Sequence, residues 1–559
     1  MKNKLLKIRE NLSILDIILF LFLGLFFAVS PSYNTIGDCD FNIKIILNGL
    51  GLSIIFIIVA IILRLIFNFI NGIDSNKTEK IDILFNQNKK IYKYRTIILA
   101  MIILLFWMPI LCSLYPGTAS NDTWGQITQF YSIKNRTYLL EDNHPILTTF
   151  IIGIIIVPLS RITGNWHLFM FLYVLLQAIA TSLVFSYSLV YAKEKLKLNN
   201  KYIIFFLVLY CILPIFPCSV QAINKDALFS WIYVLFFINY IEIVRTNGKS
   251  LNDTETLDKI IVISILACLT KKVGMYVILI ALGIMFFTRI SNKKKLLIPF
   301  ITILVFMKIV MPITLNTFEI PKGGEQEKYS LLFQQTARYL KYHKDDITEE
   351  EKQIIEKVIG QKVDNIVAVY NPNFADPVKG YEQRTETKNY KKYLFVWLKQ
   401  GLRHPGTYID ATNAMISGWI SFREYKPLMS MEWHSRLNPN IVDEKATQRD
   451  ITEKSATFIQ NTYDKIYNMP IIGILLTPGL YTALIPSFAF ITTIKYRNKR
   501  KNYWLGIIPL ILSITLGCFL APDSGNTEGQ RYLYPVTYTS IITLMWVIYT
   551  MKDKKNNKQ

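Results

Sequence analysis

The sequence is poor in cysteine, histidine and acidic residues: its 559 residues include six cysteines, five histidines and 40 Asp or Glu. No two cysteines form a C-x-x-C pair, and Cys39 stands alone in a polar loop. These absences exclude a disulfide framework and cysteine-based metal sites. The other cysteines lie in or beside apolar runs, at Cys112, Cys211, Cys218, Cys268 and Cys518.

The shortage of acidic residues leaves a net charge of +22, because Lys and Arg number 62. The basic residues are dispersed in short clusters between apolar runs, without a basic domain or the signature of a nucleic-acid-binding fold. We therefore expect no nucleic-acid partner. Such clusters are typical of loops on the cytoplasmic side of a membrane.

Long hydrophobic runs dominate the chain, and 52% of its residues are hydrophobic. A membrane span needs roughly 20 apolar residues, and the sequence predicts about twelve spans in an all-α polytopic membrane protein. Between residues 259 and 289 the run is broken by Lys271-Lys272, which predicts two short helices with the lysines at the turn. The other spans are predicted near 13–31, 43–70, 96–115, 166–192, 202–218, 226–244, 296–316, 470–494, 504–521 and 534–551.

The positions of the basic clusters predict the orientation of these spans. We expect both termini in the cytoplasm of a plasma-membrane protein. The apolar run 146–163 breaks the alternation, because a full crossing there would place the basic loop 193–201 outside. We interpret it as an interfacial or re-entrant helix within an outer loop, 116–165; a full crossing with one exported basic loop is the alternative.

The segment 317–469 is the one long stretch with soluble character. Thr348 and Glu351 form a capping-box pattern that predicts a helix over 349–359, and the segment as a whole predicts a mostly helical extracytoplasmic domain. Trp419, Arg423 and Trp433 are candidates for carbohydrate contact, with packing in a core as the alternative for the two tryptophans.

Ionisable residues mark the edges of several apolar segments, where charge is costly unless it meets water, a partner or a ligand. In the predicted topology all of them lie on the outer face, so we expect them to converge there. Carboxylates could then activate a nucleophile and cations could hold an anionic group. The residues are Asn121, Asp122, Asp142, His144, Lys225, Asp226, Lys271, Lys272, Arg531 and Tyr532.

Each of these residues also has a plain structural interpretation. Asp122 could cap a helix that starts at Thr123, and His144 could be an ordinary loop residue. Lys225-Asp226 could form a local ion pair. Lys271 and Lys272 could anchor at the membrane interface. Arg531 could be neutralised by Asp523 or Glu528.

This pattern resembles the GT-C superfamily of membrane glycosyltransferases, particularly the branch of protein-O-mannosyltransferases and aminoarabinose transferases. The likeness rests on residues that follow or end the spans in the same order, over roughly 96–320 and the last spans. They are Asn121-Asp122 after the first core span, His144-Pro145 before an apolar helix, Leu269-Thr270-Lys271, and Arg531-Tyr532 in the last outer turn.

The resemblance implies a domain organisation. Residues 1–95 would add two transmembrane helices and a cytoplasmic loop, and 96–316 would form a GT-C-like core whose outer loop 116–165 is catalytic. Residues 317–469 would be an added extracytoplasmic domain. Residues 470–559 would supply the last transmembrane helices and a basic cytoplasmic tail.

The resemblance also implies inverting transfer of a sugar from a polyprenyl-phosphate donor to a glycan, lipid or protein acceptor of a bacterial cell envelope. Asp122 would be the catalytic base, and His144 would orient it or bind substrate. The remaining candidates would hold the lipid phosphate and the substrates. No metal ligand is predicted, and because the acidic signature is Asn-Asp rather than paired carboxylates, the use of a divalent cation stays open.

Two other functions remain open from the sequence. A transporter or flippase of lipid-linked substrates would also need many spans and basic outer residues, but its charges should lie at mid-span along a path. A non-catalytic scaffold would use the domain 317–469 to bind a wall polymer or protein.

Overall fold

The computed structural model describes residues 12–39, 42–72, 81–133, 140–380, 389–422, 453–496, 502–520 and 531–556, and over these ranges the protein is helical without a β-strand. This confirms the predicted all-α class. Seven of the described helices are long and apolar enough to cross a membrane. The protein is therefore a membrane-embedded helical bundle.

The helices of the first half are α1 (Ile14–Thr35), α2 (Ile43–Asn71), α3 (Arg95–Ser113), α4 (Asn121–Ser132), α5 (Ile146–Thr163), α6 (Trp166–Glu194), α7 (Asn200–Ile212), α8 (Ile215–Val220), α9 (Lys225–Arg245), α10 (Thr254–Thr270), α11 (Lys272–Phe286) and α12 (Lys293–Thr317).

The second half contains α13 (Ser330–Tyr342), α14 (Glu349–Ile359), α15 (Val363–Val369), α16 (Tyr390–Arg403), α17 (Pro405–Ile416), α18 (Glu453–Tyr467), α19 (Leu480–Lys495), α20 (Ile508–Leu520) and α21 (Tyr534–Asn556). Four-residue helices at Asp82–Phe85 and Asp376–Lys379 and several 3-10 turns connect them.

Most predicted spans coincide with helices, and two differ. The run 202–218 is divided at Pro214 into α7 and α8, because proline cannot continue the hydrogen bonding of the preceding helix. The run 470–494 begins as a 3-10 turn, and α19 starts only after Pro478-Gly479. The break predicted at Lys271-Lys272 is confirmed, because Lys271 is extended between α10 and α11.

Side-chain contacts define two ends of the bundle. Arg95 at the start of α3 pairs with Glu194 at the end of α6, with 2.7 Å between Nε and Oε1. Tyr115, just after α3, packs against His167 at the start of α6. The two helices are therefore antiparallel. We call the end that holds Tyr115 and His167 the upper end, and the opposite end the lower end.

α5 begins beside α4 and ends at the upper end of the bundle. Near its start, Thr148 accepts a hydrogen bond from Gln126 of α4. At its close, Gly164 takes a left-handed conformation with φ of 71°, and α6 begins two residues later at Trp166. α5 is one of the seven helices with the length and composition to cross, and its interfacial or re-entrant placement stays a prediction.

The predicted capping box is confirmed, and so is the mostly helical character of the described part of 317–469. Thr348 Oγ1 accepts a hydrogen bond from the Glu351 backbone N–H at 3.2 Å. The Glu351 carboxylate in turn accepts one from the Thr348 backbone N–H. Helices α13 to α16 enclose a hydrophobic core that includes Phe333, Ile355 and Tyr393. The segment thus holds an apolar core of its own, with Asp142 beside its beginning through a hydrogen bond from the Asp142 N–H to the Pro321 carbonyl.

Candidate functional site

Two short chain segments pair at the upper end and start two helices side by side. The Thr118 N–H donates to the Gln221 carbonyl at 3.1 Å, and the Ile223 N–H donates to the Thr118 carbonyl at 2.8 Å. After this bridge the chain enters α4 on one side and α9 on the other. The first turns of α4 and α9, which carry Asp122 and Lys225, are therefore held next to each other.

Asp122 lies among two cations and a histidine. Its Oδ2 is 2.8 Å from Arg531 Nη2 and 3.2 Å from Lys225 Nζ, and its Oδ1 is 3.9 Å from His144 Nε2. Lys225 Nζ also donates to His144 Nδ1 at 2.7 Å. The N-cap of α4 is Ser120, so Asp122 does not cap this helix.

Asp226, one residue after Lys225, forms ion pairs with two other cations of the cluster. Its carboxylate is fully buried, with Oδ1 2.6 Å from Lys271 Nζ and Oδ2 3.6 Å from Arg531 Nε. Arg531 thus lies between Asp122 and Asp226. The Lys271 ammonium also lies 5.1 Å from the centre of the Tyr532 ring, a distance at which the ring attracts a cation.

A third ion pair lies at the rim of the cluster. Lys272 Nζ is 3.0 Å from Asp142 Oδ2 and also donates to the Asp142 carbonyl. Asn121 borders Asp122, and its amide oxygen is buried without a hydrogen-bond partner. The structure thus brings together the ten predicted residues, with Asn121 as a neighbour of Asp122 rather than a member of an ion pair.

Burial and charge set the protonation of the central groups. Burial raises the pKa of Asp122, but Arg531 and Lys225 together hold it well below its usual value. Burial and the Lys225 ammonium lower the pKa of His144 to about 3. The imidazole is therefore neutral at physiological pH, with Nδ1 accepting from Lys225 and the Nε2 proton directed toward Asp122.

At the edge of the cluster, burial lowers the pKa of Lys271 against the opposing effect of Asp226. Burial raises the pKa of Asp142, because it disfavours the charged carboxylate, and the Lys272 ammonium partly offsets this increase. With His144 neutral, the cluster holds one more cation than carboxylate and is therefore suited to an anionic ligand. The cations are Lys225, Lys271, Lys272 and Arg531, and the carboxylates are Asp122, Asp142 and Asp226.

A mostly apolar cleft adjoins Lys271. Its volume is about 40 Å³, and it lies between α11, α20 and the start of α21. Lys271 is the charged residue in its wall, which is otherwise formed by Phe229, Val273, Gly274, Val277, Ser513, Gly517, Tyr532 and Pro535.

The described residues of the cluster do not bring three metal-ligating side chains within metal-binding distance of one another. Trp419 is fully buried and packs with Leu533 and Tyr532, so of its two predicted roles the structure confirms packing in a core. Arg423 and Trp433 lie outside the described residues, as do Asp523 and Glu528.

Sequence reasoning missed the residues that position the cluster. Gln177 of α6 donates to the carbonyls of Val220 and Ala222, and Thr123 Oγ1 donates to the Ile223 carbonyl. These buried polar side chains hold the bridge segment in place. A buried glutamine within an apolar run is the signal that could have indicated them.

Residues 133–559 match the model of a protein family, DUF6020, which is described as a family of unknown function. The chain belongs to this family. The matched part includes His144, Lys225, Lys271 and Arg531, whereas Asp122 precedes it. No curated protein and no solved structure matches the chain.

Proposed function

We propose that the protein is a membrane glycosyltransferase of the GT-C type, which transfers a sugar from a polyprenyl-phosphate donor to a cell-envelope acceptor by inversion. The observation that carries the proposal is the position of Asp122. Its carboxylate lies within ion-pairing distance of Lys225 and Arg531, beside a cluster with excess positive charge. A base and a binding site for a phosphate leaving group would thus be adjacent.

The chemistry follows from the charges of these groups. The acceptor oxygen attacks the anomeric carbon, the bond from that carbon to the phosphate oxygen breaks, and polyprenyl phosphate leaves with the bonding electrons. The acceptor proton passes to Asp122, as in general-base catalysis. Arg531 and Lys271 stabilise the charge on the departing phosphate.

An ion-paired carboxylate is a weak base, and this predicts an exchange of partners. Arg531 and Lys225 hold the pKa of Asp122 low in the free protein. When the donor phosphate takes over Arg531, the field on Asp122 weakens and its basicity rises. The base therefore becomes competent when the donor is in place.

His144, Asp142 and Lys272 complete the proposed site. The neutral His144 ring fixes Lys225 through Nδ1 and directs its other nitrogen toward Asp122. Lys272 is half exposed and paired with Asp142, so it can contact an anionic substrate that enters from solvent. The centre of the Tyr532 ring lies 5.1 Å from the Lys271 ammonium, and the ring attracts it through a cation–π contact.

The fold supports a topology of twelve crossings with the site on the extracytoplasmic face. Seven of the described helices are long and apolar enough to cross, and four shorter apolar helices would contribute further crossings. The lower end carries the basic segments around Lys195, Lys249 and Lys293, which would be cytoplasmic. The cluster and the segment 317–469 would then face the cell envelope.

The deciding experiment measures the loss of label from radiolabelled polyprenyl-phosphate sugars, using purified protein in lipid and an envelope extract as acceptor. Asp122→Asn should reduce turnover at least about a hundredfold, as expected when a general base is lost. Asp258→Asn makes the same chemical change at an exposed position of α10 and should leave turnover unchanged. If no donor is consumed but lipid-linked sugar still binds, the protein is a transporter rather than a transferase.

A further inference from the structure

The helical segment 317–469 contains a second cluster of ligating side chains, remote from the ion pairs around Asp122. His343, Asp346 and His404 each offer one ligand atom, and these three atoms lie within 4.8 Å of one another. The chain contains only five histidines, and two of them meet here. Two imidazoles and a carboxylate form a ligand set that suits Zn²⁺.

The two rings are close and nearly parallel. The centres of the His343 and His404 rings are 3.7 Å apart, with 13° between their planes. His404 Nε2 lies 2.9 Å from Asp346 Oδ2, and His343 Nε2 lies 2.9 Å from Thr407 Oγ1. An imidazole binds a metal through a nitrogen lone pair in the plane of its ring, so the two rings would have to turn from this stacked arrangement to share one ion.

The three ligands come from chain segments with freedom to adjust. His343 and His404 follow the last turns of α13 and α16, and Asp346 ends a single 3-10 turn. Ligands around a tetrahedral zinc are about 3.4 Å apart, given bond lengths of about 2.1 Å. The ligand atoms would have to approach by roughly an ångström, which side-chain rotation at such positions can supply.

We propose that His343, Asp346 and His404 form a zinc-binding site in which water completes the coordination. Asp346 is half exposed and each imidazole is partly exposed, so an ion can enter from solvent. Thr407 keeps the His343 ring in place as an outer partner. The proposal is independent of the function proposed above.

The charges around the cluster permit a divalent cation. Lys344 is occupied by Asp364 at the surface, and Arg403 is paired with Glu351. The nearby cations are thus partly neutralised by carboxylates of their own.

A bound ion would link two parts of the segment that are distant in sequence. It would connect the end of α13 to the junction of α16 and α17. Asp410 of α17 in turn accepts a hydrogen bond from Tyr33 of α1 at 2.6 Å. Zinc would therefore stabilise the region where this segment contacts the N-terminal helices.

The test measures zinc bound to the full-length protein in detergent by elemental analysis, after chelator treatment and dialysis against Zn²⁺. We expect one ion per chain in the wild type, and loss of that ion in His343→Ala and His404→Ala. Asp346→Asn, at an exposed position where folding should be unaffected, should lower zinc affinity about tenfold or more. Co²⁺ should give the visible absorption of a tetrahedral site in the wild type and not in these variants.

His167→Ala serves as the matched control, since it removes a histidine elsewhere in the chain and should retain the ion. Folding of every variant is checked by helical circular dichroism and gel filtration. The proposal is overturned if the wild type binds no stoichiometric zinc, if folded His343 and His404 variants keep it, or if folded His167→Ala loses it.

Discussion

At the scale of single residues, the cluster around Asp122 is a set of charges that depend on one another. Asp226 has no exposed side-chain surface, and Lys271 retains 11% of its own. Lys272 and Asp142 form an ion pair of the same type, but the lysine is 47% exposed. The two pairs therefore differ mainly in how much water can replace a lost partner.

This difference predicts unequal effects of the same substitution. Asp226→Asn leaves Lys271 buried without a carboxylate and should lower the free energy of unfolding by about 3 to 5 kcal/mol. Asp142→Asn leaves Lys272 in contact with water and should cost about 0 to 1 kcal/mol. Thermal unfolding of both variants in the same lipid or detergent measures the difference. Equal losses would show that Lys271 is hydrated after all.

The low pKa of His144 predicts a pH dependence of stability. Its pKa in the folded protein, about 3, lies below the ordinary value of 6.5, so between these values the unfolded chain binds the proton more readily. The contribution of His144 is complete above about pH 6.5 and decreases as the pH falls, with a limit of about 1.4 kcal/mol per pH unit.

The measurement compares unfolding temperatures of the wild type and His144→Gln between about pH 7 and pH 5. The wild type should lose stability more steeply, because the variant lacks the titrating group while His343 and His404 remain in both proteins. Parallel curves would mean that His144 titrates normally in the folded state.

At the scale of elements, small residues set the closest helix contact of the N-terminal pair. A Cβ atom added at Gly24 of α1 would lie 2.5 Å from the Gly49 carbonyl oxygen and 2.6 Å from the Ser53 backbone nitrogen of α2. Helices in a membrane depend on such close packing for their association. Gly51 of α2 has no atom within 4 Å of the same added position.

Gly24→Ala should therefore separate α1 from α2 and destabilise the protein by about 1 to 3 kcal/mol, the usual cost of overpacking. Gly51→Ala is the matched control and should be neutral or slightly stabilising, since alanine favours a helix. Unfolding temperatures of the two variants decide the matter. A neutral Gly24→Ala would mean that the two helices are not held at this distance.

The elements themselves were largely predictable from the sequence. Apolar run length identified most helices, and Thr348 with Glu351 identified the exact start of α14. The divisions at Pro214 and Pro478-Gly479 were not predicted, because hydropathy averaged over a span does not register a local loss of backbone hydrogen bonds. The bridge at Thr118 also escaped prediction, since it depends on a pairing between segments about a hundred residues apart.

At the scale of the whole molecule, the N-terminal helices and the segment 317–469 contact each other. Arg338 of α13 donates to the Gly37 carbonyl at 2.7 Å and to Asp38 at 2.9 Å. In the proposed function both regions would be additions to a GT-C-like core. The convergence of the ten site residues was predictable because each lies at the same end of its span, whereas this contact between additions has no sequence signal.

The proposed orientation predicts which positions an impermeant maleimide can reach. In a background without native cysteines, Glu350→Cys at the exposed surface of α14 should be labelled in intact cells. Lys249→Cys, exposed at the lower end, should be labelled only after permeabilisation. The reverse pattern would place the charged cluster in the cytoplasm and remove the basis for an envelope acceptor.

The interfacial placement predicted for α5 would have a consequence for how the molecule can vary. If the chain enters and leaves this helix at the upper end, removal of the helix would not invert any helix that follows. Residues 146–163 would then form a topologically silent module, whereas the loop that carries His144 is fixed by its contact with Lys225.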